Sequence, residues 1–178
     1  CRDRTRLPRL SAMAQVYVGV GSNIEPERHI RTGLAELRQR VGPLTLSTVY
    51  ANPAVGFVGD DFLNLVVGFA TDWEVRAVSA CLRQIETAHR TPRDGPRGAA
   101  RALDLDLLLY DDLVLCEDGL HIPRAEIVRY AFVLRPLAEV AGDRRHPLLG
   151  VTFAELWATF DRSRETLQPV KVPGVEGG

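Results

Sequence analysis

Apolar and polar positions along this chain change period several times, and each change marks an element. Residues 15–20 (QVYVGV) are rich in β-branched and aromatic side chains, as in a strand, and Gly21, Ser22 and Asn23 end them as a turn. From Pro26 the period lengthens, and Ile30, Leu34 and Leu37 fall on one helical face. Pro26 suits a first turn, Glu25 and Glu27 place negative charge there, and Asn23 is the predicted N-cap. Gly42 and Pro43 stop the helix. Residues 44–50 alternate as a second strand, and 51–61 (ANPAVGFVGDD) carry the punctuation of a loop. Residues 62–70 (FLNLVVGFA) form a third strand with one polar residue inside it, Asn64. A buried amide must be paired, either with backbone or with the polar edge of a ligand. Val75, Val78, Cys81, Leu82 and Ile85 give 73–89 the stripe of a second helix.

A Gly/Pro/Arg loop follows and runs into an apolar strand ending at Tyr110. Asp111 and Asp112 suit a turn, with 113–116 returning as the second arm of a hairpin. Next come a proline and short helical turn within 121–132, a helix over 132–140 that runs through Pro136, and a short helix over 153–160. Residues 1–12 are basic, non-periodic and followed by Met13, so they are set aside as an extension. A single domain is expected over 13–163, with a flexible tail over 164–178. The order β-α-β-β-α-β is that of an α+β, ferredoxin-like two-layer sandwich, here with an additional hairpin and C-terminal helices.

Composition changes this picture little. With 46% apolar and 25% charged residues the chain is an ordinary globular one, and its net charge of −1 argues against a nucleic-acid or membrane-surface binder. No run approaches the roughly 18 apolar residues of a membrane span. Cys1, Cys81 and Cys116 are odd in number, widely spaced and without a C-x-x-C pair. That pattern fits a reducing, cytoplasmic setting and no structural zinc or disulfide framework. Lys171 is the sole lysine, so catalysis by a lysine of the folded part is excluded. A monomer or weak homo-oligomer is expected.

The chemistry concentrates between Arg93 and Tyr110, in RDGPRGAARALDLDLLLY. At the two-residue period of a strand, Asp104 and Asp106 share one face, while Leu103, Leu105 and Leu107 share the other. Two carboxylates in an apolar run cost several kcal/mol if buried without a cation. On an exposed sheet edge they need none. With Arg93, Arg97 and Arg101 just upstream, the pair suits Mg²⁺, whose octahedron is completed by water and phosphate oxygens, and the arginines suit a polyphosphate. His121 has no spaced partner and is not read as a metal ligand. A fold-level analogy also links same-face aspartates on such a sheet to palm-like nucleotidyl transferases.

Several short motifs follow one another in order: Val18-Gly19-Val20-Gly21-Ser22-Asn23; Tyr50 with Asn52-Pro53 and Gly56; Phe62-Leu63-Asn64; and Ile85-Glu86. Further on come Arg101-Ala102-Leu103-Asp104-Leu105-Asp106, Ile122-Pro123, and Phe132-Val133-Leu134 with Pro136-Leu137. As an ordered set, from Met13 to about Phe160, they resemble the family of 6-hydroxymethyl-7,8-dihydropterin pyrophosphokinases. The resemblance implies transfer of the β,γ-diphosphate of ATP to the hydroxymethyl oxygen of a reduced pterin, releasing AMP. It implies that Asp104 and Asp106 hold two Mg²⁺ ions bridging the phosphates, with Arg101 beside them. Either aspartate would take the hydroxyl proton. Pterin binding would fall to Asn52, Pro53, Ala54, Asn64 and the sandwiching rings of Phe62 and Phe132. ATP binding would fall to Glu86, Arg93, Arg101, His121, Arg124 and Arg129.

Three places depart from the family pattern. Gly98-Ala99-Ala100-Arg101-Ala102 stands where the family usually has Trp-Gly-Pro-Arg-Thr, Arg124 where it has His, and Tyr130 where it has Arg, with Arg129 beside it. An arginine supplies phosphate charge that a tyrosine does not. The departures imply a diverged paralogue, slow or directed to a related pterin, or one that binds pterin or nucleotide without turnover.

Overall fold

The computed structural model describes residues 13–53, 59–95, 100–117, 119–163 and 166–176. Its main sheet runs in the order β5-β1-β4-β3-β8, all neighbours antiparallel, with β2 also on β4. The strands are β1 (Ala14–Ser22), β2 (Thr45–Leu46), β3 (Val49–Asn52), β4 (Phe62–Thr71), β5 (Asp104–Tyr110) and β8 (Gln168–Val170). A separate hairpin joins β6 (Leu115–Glu117) to β7 (Leu120–Ile122). The helices are α1 (Pro26–Val41), α2 (Val75–His89), α3 (Ala131–Ala141) and α4 (Phe153–Ala158).

Alternation in the strands divides the core in two. Val16, Val18 and Val20 of β1, with Leu63, Leu65 and Val67 of β4, face α1 and α2, where Ile30, Leu34, Leu37, Val78, Leu82 and Ile85 close one apolar layer. The opposite face carries Tyr17, Val66 and Leu108, covered by Leu134 and Leu137 of α3 and by Phe153. Those helices cover only one end of that face. At the other end lie Gly19, Gly21, Asn64, Asp104 and Asp106, lining an open cavity. The architecture is the expected ferredoxin-like α+β sandwich, with the C-terminal helices forming a partial third layer.

Four local expectations are corrected. Asn23 is not the cap of α1: Pro26 fixes the first turn so that Glu25 holds that position, at φ 42° and without a side-chain cap. The Asn23 side chain instead accepts from Arg101 N–H (2.7 Å) and donates to Asp60 O (3.3 Å), tying the end of β1 to two loops. The expected second strand is split at Ser47, whose Oγ accepts from Val66 N–H at 2.9 Å in place of backbone. The return arm after Asp111 does not pair with β5. The outer edge of β5 is already used by Glu86, which accepts from Leu105 N–H (2.7 Å), and by Arg124 N–H, which donates to Leu108 O (3.1 Å), so β6 pairs with β7 instead. Finally, part of the expected tail is structural. β8 extends the sheet along β3, and the turn Val172-Pro173-Gly174-Val175, closed by Val175 N–H to Val172 O at 3.0 Å, buries both valines.

Candidate active site

The period-two argument for the carboxylates holds: Asp104 and Asp106 emerge on one face of β5, opposite Gly21 and Gly19 of β1. Beyond Gly21 lies Asn64 of β4. A Cβ on Gly21 would stand 2.8 Å from the Asn64 Oδ1 atom, so only glycine lets that amide lie across β1 towards the aspartates. Asn52 of β3 answers from the far side, its Oδ1 accepting from Asn64 Nδ2 at 2.5 Å while its own Nδ2 donates to Pro53 O at 3.0 Å. The result is a cavity of about 650 Å³ with carboxylates on one wall, amides across its floor and aromatic rings on the other side.

Helix α3 supplies Phe132, and Phe62 enters from the start of β4; both line the cavity. Tyr130 stacks on Phe132, with ring centroids 4.9 Å apart and planes 16° from parallel. Three groups tie α3 to β3. Glu139 Oε2 accepts from Thr48 N–H (2.8 Å), Tyr50 donates its hydroxyl to Glu139 Oε1, and Arg135 Nε donates to the Tyr50 hydroxyl (3.1 Å). The aromatic wall is thereby fixed relative to the amide floor.

The acidic wall is less settled. Glu86 of α2 reaches behind β5 to Leu105 N–H, beside Asp104. Burial pushes the Glu86 carboxyl above its ordinary range, and burial together with the Glu86 charge does the same to Asp104. Arg101 favours the ionised form of both, yet does not reach the cavity lining. Arg124, from the loop after β7, places Nη2 2.8 Å from Asp106 Oδ1 and 3.2 Å from Glu126 Oε1.

Most of the expected residues therefore meet. Asn52, Phe62, Asn64, Asp104, Asp106, His121, Arg124, Arg129 and Phe132 all line the cavity. Glu86 and Arg101 sit behind it. Pro53 is exposed at its rim, and Ala54 lies outside the described residues, as does Arg97. Arg93 is not in its lining; it is exposed beside a turn in which Asp94 Oδ1 accepts from Thr91 N–H (3.0 Å) and from Thr91 Oγ1 (2.8 Å). Sequence reasoning missed Gly19, Gly21 and Glu126 as parts of the site. Two glycines on one face of a strand were a usable signal; nothing marked Glu126.

The family model of 7,8-dihydro-6-hydroxymethylpterin-pyrophosphokinase (HPPK) matches residues 17–142. The chain belongs to that family. It is 30% identical over 155 residues to the 2-amino-4-hydroxy-6-hydroxymethyldihydropteridine pyrophosphokinase of Methylorubrum extorquens, covering 85% of this chain and 96% of the relative. To the Pseudomonas aeruginosa enzyme of the same name it is 32% identical over 137 residues, covering 75% and 84%. Among solved structures it is similar to a Plasmodium falciparum HPPK-DHPS triple mutant with STZ-DHP, at a TM-score of 0.68 and 13% identity, a likeness of fold. The match covers 88% of this chain and 45% of that one, so the chain spans under half of that protein. As a member of the HPPK family, the chain is a pyrophosphokinase, an enzyme that transfers pyrophosphate.

Proposed function

We propose that the chain transfers the β,γ-diphosphate of ATP, with Mg²⁺, to the hydroxymethyl oxygen of 6-hydroxymethyl-7,8-dihydropterin, releasing AMP. One observation carries this reading: a same-face carboxylate pair and an amide-and-aromatic pocket share a single cavity. The flat ring fits between Phe62 and Phe132, with its amide edge read by Asn64 and Asn52. The pterin hydroxyl oxygen bonds to Pβ, the Pα–O–Pβ bridge breaks towards AMP, and the hydroxyl proton passes to an aspartate carboxylate.

The donor set fits Mg²⁺. Among the described residues no cluster of three or more His, Cys, Asp and Glu is arranged to enclose a metal ion. Mg²⁺ does not ask for one, since it accepts one or two carboxylates and takes the rest from water and phosphate. Asp104 and Asp106 would hold the ions, and the crowding of Asp104 against Glu86 is the electrostatic state that a nearby cation relieves. Bound there, the metal would neutralise charge that builds on the phosphates. Arg124, Arg129 and His121 line the same wall and supply further contacts to the nucleotide. A cytoplasmic setting is part of this reading. The cysteines Cys81 and Cys116 are free, and no helix among the described residues is long and apolar enough to cross a membrane.

A second reading, a protein that binds pterin without turnover, is favoured by Tyr130, which lies stacked on Phe132 where the family pattern carries a cation. One assay separates the two: AMP release from ATP and Mg²⁺ with and without 6-hydroxymethyl-7,8-dihydropterin. Pterin-dependent AMP is the expected result. Pterin binding without AMP would replace the first reading by the second.

A further inference from the structure

Arg124 is held in the cavity wall with its side chain only 18% exposed. Its backbone is anchored on β5 through the bond from its N–H to Leu108 O. Its Nη2 is shared between Asp106 and Glu126, at 2.8 and 3.2 Å, and its Nε is buried without a hydrogen bond among the described residues. A guanidinium at that distance uses the carboxylate lone pairs that a divalent cation needs. A metal ion placed on Asp106 Oδ1 would compete with Arg124 for that oxygen.

We propose that Arg124 is a built-in counter-ion that keeps a divalent metal off Asp106 until a nucleoside polyphosphate arrives and draws the guanidinium away. This rests on the metal reading of Asp104 and Asp106 above. Metal alone must displace a charge-assisted hydrogen bond and leave a largely buried guanidinium hydrogen-bonded to Glu126 alone among the described residues. A polyphosphate removes that cost. Its oxygens offer the guanidinium two-pronged hydrogen bonds and give the buried Nε–H an acceptor. Metal and nucleotide are thereby coupled, each favouring the enzyme form that binds the other. Arg124 acts as a positioning residue, setting the order in which the site fills.

The test is Mn²⁺ binding to the full chain, read as loss of the free-ion paramagnetic resonance signal, so that no turnover is needed. Arg124→Ala is expected to tighten Mn²⁺ binding in the absence of nucleotide on the order of tenfold. With an α,β-methylene ATP analogue present, that advantage should shrink or reverse. Arg124→Gln, which keeps a neutral polar side chain in the wall, should behave alike and stands in should alanine unfold the chain. Unchanged affinity in both variants would overturn the proposal. So would an equal gain in Arg129→Ala, because Arg129 lines the same cavity and would then report only general charge. Asp106→Asn keeps the two readings apart. With the ATP analogue present, loss of Mn²⁺ binding there, while the Arg124 variants bind nucleotide-free Mn²⁺ like wild type, sinks the counter-ion alone, whereas unchanged binding there removes the metal reading and this proposal with it.

Discussion

On the β4 side of the cavity the polar groups answer one another. Asn64 donates to Asn52, Asn52 donates to Pro53 O, and α3 is pinned to β3 through Glu139, Tyr50 and Arg135. On the β5 side acidic groups crowd one another. Asp104 and Glu86 are buried together with raised carboxyl pKa values, and Asp106 leans on an arginine shared with Glu126. The difference shows where each wall gets its order. The amide wall is preorganised by its own hydrogen bonds, at little cost when a flat ring enters. The acidic wall crowds buried carboxyls together, a state that a cation, as proposed above, would relieve. Such imbalance is typical of sites that do chemistry rather than of packing.

The largest expected effect breaks the walls apart. Asp104→Ala and Asp106→Ala should each lower AMP formation by about a thousandfold or more, the scale of losing charge stabilisation on a transferring phosphoryl group. Pterin affinity, followed by fluorescence titration, should stay within about twofold, because Asn64 and Asn52 are held by each other and by Pro53 O. Parallel loss of pterin binding would mean that the walls are one cooperative unit.

How much of this was legible follows from the range of each interaction along the chain. The two-residue period placed Asp104 and Asp106 on one face, and the helical period chose Ile30, Leu34 and Leu37 for the core, because both are local rules. The fate of Asn23 was not local. Its best partner, Arg101 N–H, lies on a distant loop, and Pro26 had already set the helix start. The return strand failed for a similar reason, since Glu86 and Arg124 had taken the β5 edge from elsewhere in the sequence. The tail did carry a local signal, Val170, Val172 and Val175 around a Pro-Gly turn, but its polar, glycine-ended composition masked the strand and tuck they form. In the site, residue types were readable, but the pairing of Arg124 with both Asp106 and Glu126 depends on how the loop after β7 folds over β5.

An intermediate effect sharpens the contrast from the other side. Asn64→Ala removes the donor to Asn52 and leaves that buried amide short of a partner. Losing such a bond together with the ligand contact should weaken pterin binding by about 10- to 100-fold. Mn²⁺ affinity measured without pterin should not change. A matching fall in metal affinity would show that the floor positions the carboxylates, contrary to the separation drawn here.

The smallest effect tests the imbalance itself, through stability without metal. Glu86 and Asp104 have folded-state pKa values raised by burial, so over the range between the ordinary carboxylate value and the raised one the folded chain holds more protons than the unfolded chain. Stability must then fall as pH rises through that range, and the penalty is fully present above it. Other carboxylates act oppositely: Asp94 is held below its ordinary range by hydrogen bonds from Thr91, which outweigh its burial. The pair is therefore read by difference. Glu86→Gln keeps an acceptor for Leu105 N–H and removes the charge facing Asp104. In metal-free urea denaturation, wild type should lose stability relative to Glu86→Gln as pH climbs out of the carboxylate range, and Mg²⁺ added together with the α,β-methylene ATP analogue should narrow the gap. A gap that stays constant with pH would mean that the two acids are not crowded. The unbalanced wall would then be an ordinary ion-paired surface, and the contrast with the amide wall would lose its electrostatic basis.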